Sequence, residues 1–229
     1  HRTAFSGRNF EYYSEDGVLS GAMAANAIAG AQEHGVYAYM KHFALNDQEG
    51  NRNCMAATWS NEQAIREIYL RPFEISAKVG GCKAVMSSWN YIGNQWAGAC
   101  NALLNGVLRG EWGFLGFVET DYFGVYGYMT ADQAVRNGGD LMLCTTGNDY
   151  NNVTVLTNSS KQAMRTSAKN ILYTVVNSRA YEAENLNPGM AKWKIVLIGA
   201  DVVAALLIVG LEYTAIKNYK KRKEEEEEV

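Results

Sequence analysis

The stretch Gly116-Phe117-Val118-Glu119-Thr120-Asp121-Tyr122 is a short apolar run that ends in charged and aromatic side chains. An earlier run, Val36 to Met40, ends the same way in Lys41-His42-Phe43. Strands buried on both faces of a helix-covered parallel sheet read as near-continuous apolar segments. A barrel of such strands keeps its chemistry at their C-terminal ends. Asp121 is therefore the candidate nucleophile, and the two stretches together point to an α/β fold.

Outward from these runs, residues 14 to 180 alternate helical and strand-like segments, the pattern of parallel βα units. Strands are expected at Val36 to Met40, Lys83 to Met86, Phe114 to Thr120 and Asp140 to Cys144. An alanine-rich helix is expected from Ser14 to Glu33, stopped by Gly35. Ser60-Asn61-Glu62-Gln63 reads as a capping box. It opens a helix whose apolar face is Ile65, Ile68, Tyr69 and Phe73, kinked or broken at Pro72. Asn101 to Gly110 and Thr130 to Asn137 supply two more helices, and Ser159 to Ser178 closes the folded part.

Four βα units are about half of an eight-stranded barrel, whose usual length is roughly 250 residues. An open half sheet has bare edges, and the chain begins at His1 in a loop-like stretch without an initiator methionine or signal peptide. The missing strands are expected upstream. The fold expected is thus a partial TIM-like (β/α) barrel over 1–150, a closing helix and linker over 151–187, a transmembrane helix over 193–216 and a charged cytoplasmic tail over 217–229.

The membrane assignment rests on Ile195 to Leu211, a run with one charge, Asp201, that begins after a change of composition at Asn187-Pro188-Gly189. Trp193 and Tyr213 flank it at interface positions. Eleven Ile, Leu and Val residues at about -0.3 to -0.6 kcal/mol each outweigh about +3 for one buried aspartate. Asp201 is read as a polar position tolerated in lipid and protonated there. Lys217, Lys220, Lys221, Arg222 and Lys223 place the C-terminus in the cytoplasm and the α/β part outside the cell, because Glu224 to Glu228 count for little in this rule.

Net charge is -3 among 229 residues, and no basic cluster outside the tail could neutralise a run of phosphates, which argues against a nucleic-acid partner. Apolar residues make up 48%, enough for a core and against disorder. Most aromatic rings are expected in that core. Cys54, Cys82, Cys100 and Cys144 lack metal-ligand spacing, so neither a metal site nor a cofactor is expected. A disulfide cannot be read from the spacing. Cys82 and Cys144 adjoin strands and read as small buried hydrophobes.

Five blocks, in order, resemble glycoside hydrolase family 3, in its β-glucosidase-like branch. They are Gly7-Arg8-Asn9-Phe10-Glu11-Tyr12-Tyr13-Ser14-Glu15-Asp16; Lys41-His42-Phe43-Ala44-Leu45-Asn46-Asp47-Gln48-Glu49 with Arg52; Arg66 to Glu74; Val85-Met86-Ser87-Ser88-Trp89-Asn90; and Leu108 through Asp121. The resemblance implies a TIM-like barrel bearing the nucleophile, completed by a separate α/β sandwich domain with the catalytic acid/base. That domain is expected upstream, missing from this chain. Asp121 falls on the nucleophile. Arg8, Lys41, His42 and Arg52 fall on positions that grip sugar hydroxyls, and Met86, Trp89 and Tyr122 on positions that wall the reacting subsite. Trp89 stands where tyrosine is usual and Tyr122 where tryptophan is usual. The N-acetylglucosaminidase branch carries a glycine and a second histidine just after Lys-His-Phe; here that place reads Ala44-Leu45-Asn46-Asp47, which excludes it.

The function expected is retaining, exo-acting hydrolysis of terminal β-linked sugars, with a β-linked oligosaccharide or glycoside as substrate and membrane lipid as the other partner. The second carboxyl is not assigned among Glu11, Glu49 and Glu119. Arg8 and Lys41 are expected to lower the Asp121 pKa, as opposite charges do. The fragment alone is expected to be inactive. A membrane-anchored carbohydrate-binding protein with impaired catalysis and a non-catalytic anchoring remnant are the alternatives; an intact Asp121 with all four basic positions disfavours both.

Overall fold

The computed structural model describes residues 2–123, 126–145, 149–182 and 189–227. They divide into two units, residues 1–180 and 181–229.

In the first unit the chain enters α1, Gly17–Glu33, through Asp16, whose carboxylate accepts the Val18 and Leu19 N–H groups. This cap starts the helix three residues later than expected. Gly35 follows at φ +77°, the left-handed stop that glycine adopts without a Cβ penalty.

The main sheet is parallel, in the order β1 (Tyr39–Phe43), β3 (Ala84–Ser87), β6 (Phe117–Glu119). Neighbours in sequence are neighbours in space, the order of successive barrel strands. The strand at Val36 to Met40 is corrected by three residues. The β1–β3 register runs Tyr39↔Ala84, Met40↔Val85, then Phe43↔Ser87. Three steps on β1 therefore meet two on β3, so Lys41 and His42 sit in a bulge inside the strand, a device that re-aims side chains.

Near β6 the glycine is decisive: a Cβ on Gly116 would lie 2.0 Å from the Lys83 carbonyl oxygen. The strand starts at Phe117, after that close approach, and not at Phe114.

The fourth expected strand shrinks to one bridge, Glu119↔Leu141. Side chains interrupt its ladder. Asp140 Oδ2 accepts Val118 N–H at 2.8 Å, and Thr120 Oγ1 accepts Leu143 N–H at 3.1 Å.

The capping expectation at Ser60 is corrected to Asn61, whose Oδ1 accepts Ala64 N–H at 2.8 Å. A short α2, Glu62–Ala64, opens into a π-helical turn, Ile65–Tyr69, and helix resumes as α3, Arg71–Lys78, with Pro72 in its first turn. Leu70 N–H bonds to Ile65 O at 2.8 Å; the wider turn precedes a residue that has no N–H to offer. A second π-helical segment, Ala102–Glu111, precedes β6. Then come α4, Ala131–Arg136, capped by Thr130, and α5, Asn158–Val176, capped by Thr157 in a capping box with Ser160.

Ile28, Met40, Phe43, Leu70, Val85, Leu104, Leu108 and Val118 form the principal core between sheet and helices. Trp96, Phe123, Met129 and Ala134 form a second, with Trp89, Tyr91, Tyr126 and Tyr128 against it. A small sheet of β2 (Ala57–Thr58), β4 (Tyr91–Ile92) and β5 (Gln95–Trp96) comes from the loops that follow β1 and β3. Trp59, by contrast with the expectation for most rings, is 81% exposed. All four cysteines are free thiols. Cys82 is buried as expected, whereas Cys144 is only half-buried.

The second unit contains α6, Lys192–Glu227. Its stretch Lys192–Lys223 has a mean hydropathy of 2.4 in the most apolar window, with none of that window buried. By length and composition it can cross a membrane. Of the predicted boundary, Asn187 and Pro188 lie outside the described residues, as does most of the 151–187 linker's last part.

Candidate active site

Three neighbouring strands end at one place. The bulge in β1 delivers Lys41 and His42, the residues after β3 deliver Ser88 and Trp89, and those after β6 deliver Thr120, Asp121 and Tyr122. All are C-terminal ends of parallel strands, where loops converge over the sheet.

Asp121 is the centre of the arrangement. Its Oδ1 accepts Tyr122 N–H at 2.7 Å. Its Oδ2 is buried with no hydrogen-bond partner among the described residues, and His42 Nε2 stands 3.6 Å from it. A carboxylate oxygen left without a donor inside a protein carries a free-energy cost. Here it is an acceptor left open at the strand end.

Arg8 and Lys41 do lower the Asp121 pKa, as expected, but the net shift is upward. Burial pushes it up, while Tyr122 N–H, Arg52, Arg8 and Lys41 pull it down by less. Glu11 binds two of these cations as well. Its Oε1 accepts Arg8 Nε–H at 2.6 Å, and its Oε2 lies 2.5 Å from Arg8 Nη2 and 2.9 Å from Lys41 Nζ. Two of the cations counted towards Asp121 are thus shared with another carboxylate. Hydrogen bonding from Arg8 is the main cause that pulls the Glu11 pKa down to about 2. A carboxyl so firmly ionised cannot serve as a general acid near neutral pH.

Glu49 is engaged as well, its Oε2 3.1 Å from Arg52 Nη2. Glu119 lies in β6 in register with Met86, with its pKa raised by burial. None of the three is placed as the acid.

His42 is 3% exposed and stays neutral, its pKa lowered to about 3 by burial first and then by Arg8, Lys41 and Arg52. Tyr12 sets its tautomer. The phenol oxygen lies 2.8 Å from His42 Nδ1 and also receives the His42 backbone N–H. Burial raises the Tyr12 pKa to about 12, so the phenol keeps its proton, and because its oxygen already accepts the His42 backbone N–H the contact with Nδ1 is assigned as phenol to imidazole. The imidazole proton then sits on Nε2, the nitrogen that faces Asp121.

The exchanged aromatics form a connected wall. Arg52 stacks over Trp89, Cζ 4.2 Å from the ring centroid, a contact that favours both partners. Trp89 Nε1–H donates to Tyr122 O at 3.0 Å, joining the β3 and β6 loops. Its indole N–H is spent on that carbonyl and not on Asp121. Tyr122 is 41% exposed, with its hydroxyl 2.9 Å from Thr145 Oγ1. Met86 is half-buried within β3.

Behind β6 stands a buried charge network. Asp140 Oδ2 accepts from Arg109 Nη2 at 2.6 Å and from Val118 N at 2.8 Å, and its Oδ1 from Asn170 Nδ2 at 3.0 Å. Arg109 also donates to Gly116 O at 2.8 Å. This network holds the strand whose end presents Asp121.

The sequence singled out Arg8, Lys41, His42, Arg52, Met86, Trp89 and Tyr122 but not the contacts made by Glu11, Tyr12 and Asp140. Glu11 had a local signal, standing three residues after Arg8 in the short 3-10 helix Asn9–Glu11. Tyr12 and Asp140 act across 30 and 22 residues, and sequence spacing carries no such information. Among the described residues no group of three or more His, Cys, Asp or Glu stands together to hold a metal ion.

Residues 1–172 match the family described as glycosyl hydrolase family 3 N terminal domain. A β-glucosidase of Rhizobium radiobacter is 44% identical over 141 residues, covering 62% of this chain and 17% of its own length. β-Glucosidase B of Emericella nidulans is 46% identical over 141 residues, 62% of this chain and 16% of its own. The chain thus spans under a fifth of these relatives. Among solved structures, β-glucosidase 3B of Thermotoga neapolitana in complex with glucose superposes with a TM-score of 0.69 at 36% identity, over 81% of this chain and 27% of the other. With a family match over most of its length, a fold shared with those enzymes and Asp121 at the end of a parallel strand, the chain belongs to glycoside hydrolase family 3.

Proposed function

We propose that the chain is the nucleophile-bearing part of a retaining, exo-acting β-glucosidase that acts on terminal β-linked sugars. The observation that carries this reading is the Asp121 carboxylate, with Oδ2 unpaired 3.6 Å from His42 Nε2 and Arg8, Lys41 and Arg52 near enough to bias its charge. Asp121 would attack the anomeric carbon. The second carboxyl of a retaining pair, about 5 to 5.5 Å away, comes in this reading from a domain outside these residues, since Glu11 and Glu49 are bound to cations. His42 Nε2–H, Lys41, Arg8 and Arg52 would hold sugar hydroxyls, and Met86, Trp89 and Tyr122 would wall the ring.

The same reading makes α6 a membrane anchor over 193–216, with the α/β unit outside the cell and the basic stretch 217–223 in the cytoplasm. Sugar would then be released at the cell surface. A second reading, a membrane-anchored protein that binds carbohydrate with impaired turnover, is favoured by one observation: the Trp89 N–H bonds to Tyr122 O and leaves Asp121 Oδ2 without a donor.

Labelling separates the two. A 2-deoxy-2-fluoro-β-glucoside with a good leaving group should attach to Asp121 in the protein expressed from its own gene, read by mass spectrometry of the peptide. Asp121→Asn should abolish labelling and lower turnover of aryl β-glucosides by orders of magnitude. Turnover like that of the wild type in Asp121→Asn rules out Asp121 as nucleophile; sugar binding without labelling selects the second reading.

A further inference from the structure

Arg52 also lines a second cavity, of about 280 Å³, together with Leu45, Asn46, Asp47, Asn90 and the loop that carries Trp59. Its polar groups are unusually incomplete. Asn46 is 6% exposed, yet neither its Nδ2 nor its Oδ1 has a hydrogen-bond partner among the described residues. Arg52 is 9% exposed; its Nη2 meets Glu49, while Nη1 is buried and unpartnered. Burying an amide and a guanidinium N–H without partners is destabilising, and native proteins rarely tolerate it without a functional reason.

The free groups define the ligand. Asn46 offers two N–H donors and a carbonyl acceptor, and Arg52 Nη1 offers further N–H donors. Asn90 adds wall only, because its Nδ2 is spent on Ala44 O and its Oδ1 on Ser88. At the rim Trp59 presents a broad apolar face to solvent. Charge argues against an anion: Glu49 is paired to Arg52, and a second carboxyl, Asp47, lines the same cavity. The complement is a neutral ring that carries neighbouring hydroxyls on its edge and C–H groups on its face.

We propose that this cavity is a second sugar subsite, adjoining the one at Asp121 through their shared Arg52, in which a neutral pyranose unit bonds to Asn46 and Arg52 Nη1 and stacks on Trp59. It rests on the β-glucosidase reading only for the choice of sugar. The pyranose is either free monosaccharide or the second ring of a disaccharide.

The test uses the full chain labelled with 5-fluorotryptophan, in a detergent without a sugar head group, with Trp59 and Trp89 assigned through Trp59→Phe and Trp89→Phe. Glucose should shift the Trp59 and Trp89 fluorine signals with different half-saturation concentrations. Asn46→Ala should raise the Trp59 half-saturation by roughly tenfold, the cost of one buried hydrogen bond, and leave that at Trp89 unchanged. Unmoved Trp96 and Trp112 signals report an intact fold, and Asn46→Ser serves if Asn46→Ala disturbs them. Trp59→Ala, a change on an exposed ring, should remove one class of site from equilibrium dialysis with radiolabelled glucose. Cellobiose moving both signals on a single curve identifies the second ring of one substrate; separate curves identify free sugar. A Trp59 signal that ignores glucose and cellobiose, or that answers inorganic phosphate instead, overturns the inference and leaves the Asp121 site standing. A silent Trp89 with a responsive Trp59 sinks the reacting subsite and leaves this one.

Discussion

His42 makes the fold acid-sensitive in a way that can be worked out in advance. In the folded chain its pKa is lowered from 6.5 to about 3, first by burial and then by Arg8, Lys41 and Arg52; unfolded, it regains its ordinary value. Between those two values the unfolded chain binds a proton that the folded chain refuses. Stability therefore rises with pH across this window and falls as acid is added. At about 1.36 kcal/mol per pH unit the whole interval is worth about 5 kcal/mol, and the part between pH 6.5 and 4.5 about 3 kcal/mol. That is a large share of the roughly 5–15 kcal/mol that holds a domain folded. The measurement is urea denaturation of the full chain in mild detergent, followed by near-ultraviolet circular dichroism from pH 7.5 to 4.5. It is made on the wild type and on His42→Gln, which has no proton to gain. Carboxylates common to both chains cancel in the difference. The wild type should lose about 3 kcal/mol more than the variant over that range, and ¹⁵N shifts should show the neutral Nε2–H tautomer at pH 5. Parallel stability profiles for the two chains would refute the argument.

Asp140→Ala strips one partner from a buried pair and leaves Arg109, Val118 N–H and Asn170 without their acceptor; a loss of about 3–5 kcal/mol is expected, read from the urea midpoint. Glu11→Gln should cost about 1–2 kcal/mol at pH 6, after allowance for solvent screening at the rim. Because the folded Glu11 pKa is lowered to about 2, that difference between variant and wild type should persist above 4.5 and fade as pH falls towards 2. Protease added to intact cells should digest residues 1–190 and spare an epitope fused after Val229, since five basic residues follow the apolar run and two, Lys192 and Lys194, precede it closely; digestion of the epitope with protection of the α/β part reverses the orientation.

The residues themselves were enough to establish an α/β architecture, the family and the strand ends at which Lys41, His42 and Asp121 gather. They sufficed because apolar periodicity, caps and glycine stops are local signals, and because the family's blocks are contiguous. Even so, local signals left boundaries loose. The cap moved from Ser60 to Asn61, whose Oδ1 reaches Ala64 N–H, and β1 moved onto the Lys-His-Phe triplet because pairing with β3 decides where a strand runs.

What only the tertiary structure decided is the state of the site. Arg8 and Lys41 bind Glu11 and at the same time pull the Asp121 pKa down. Whether Asp121 is easily ionised depends on burial, a property of every chain segment packed around it and of none alone. The tautomer of His42 follows from a phenol 30 residues away, and the fourth strand gives way to the side chains of Asp140 and Thr120. Charge, desolvation and hydrogen-bond competition are sums over neighbours in space. A linear sequence names those neighbours only when they are also neighbours along the chain.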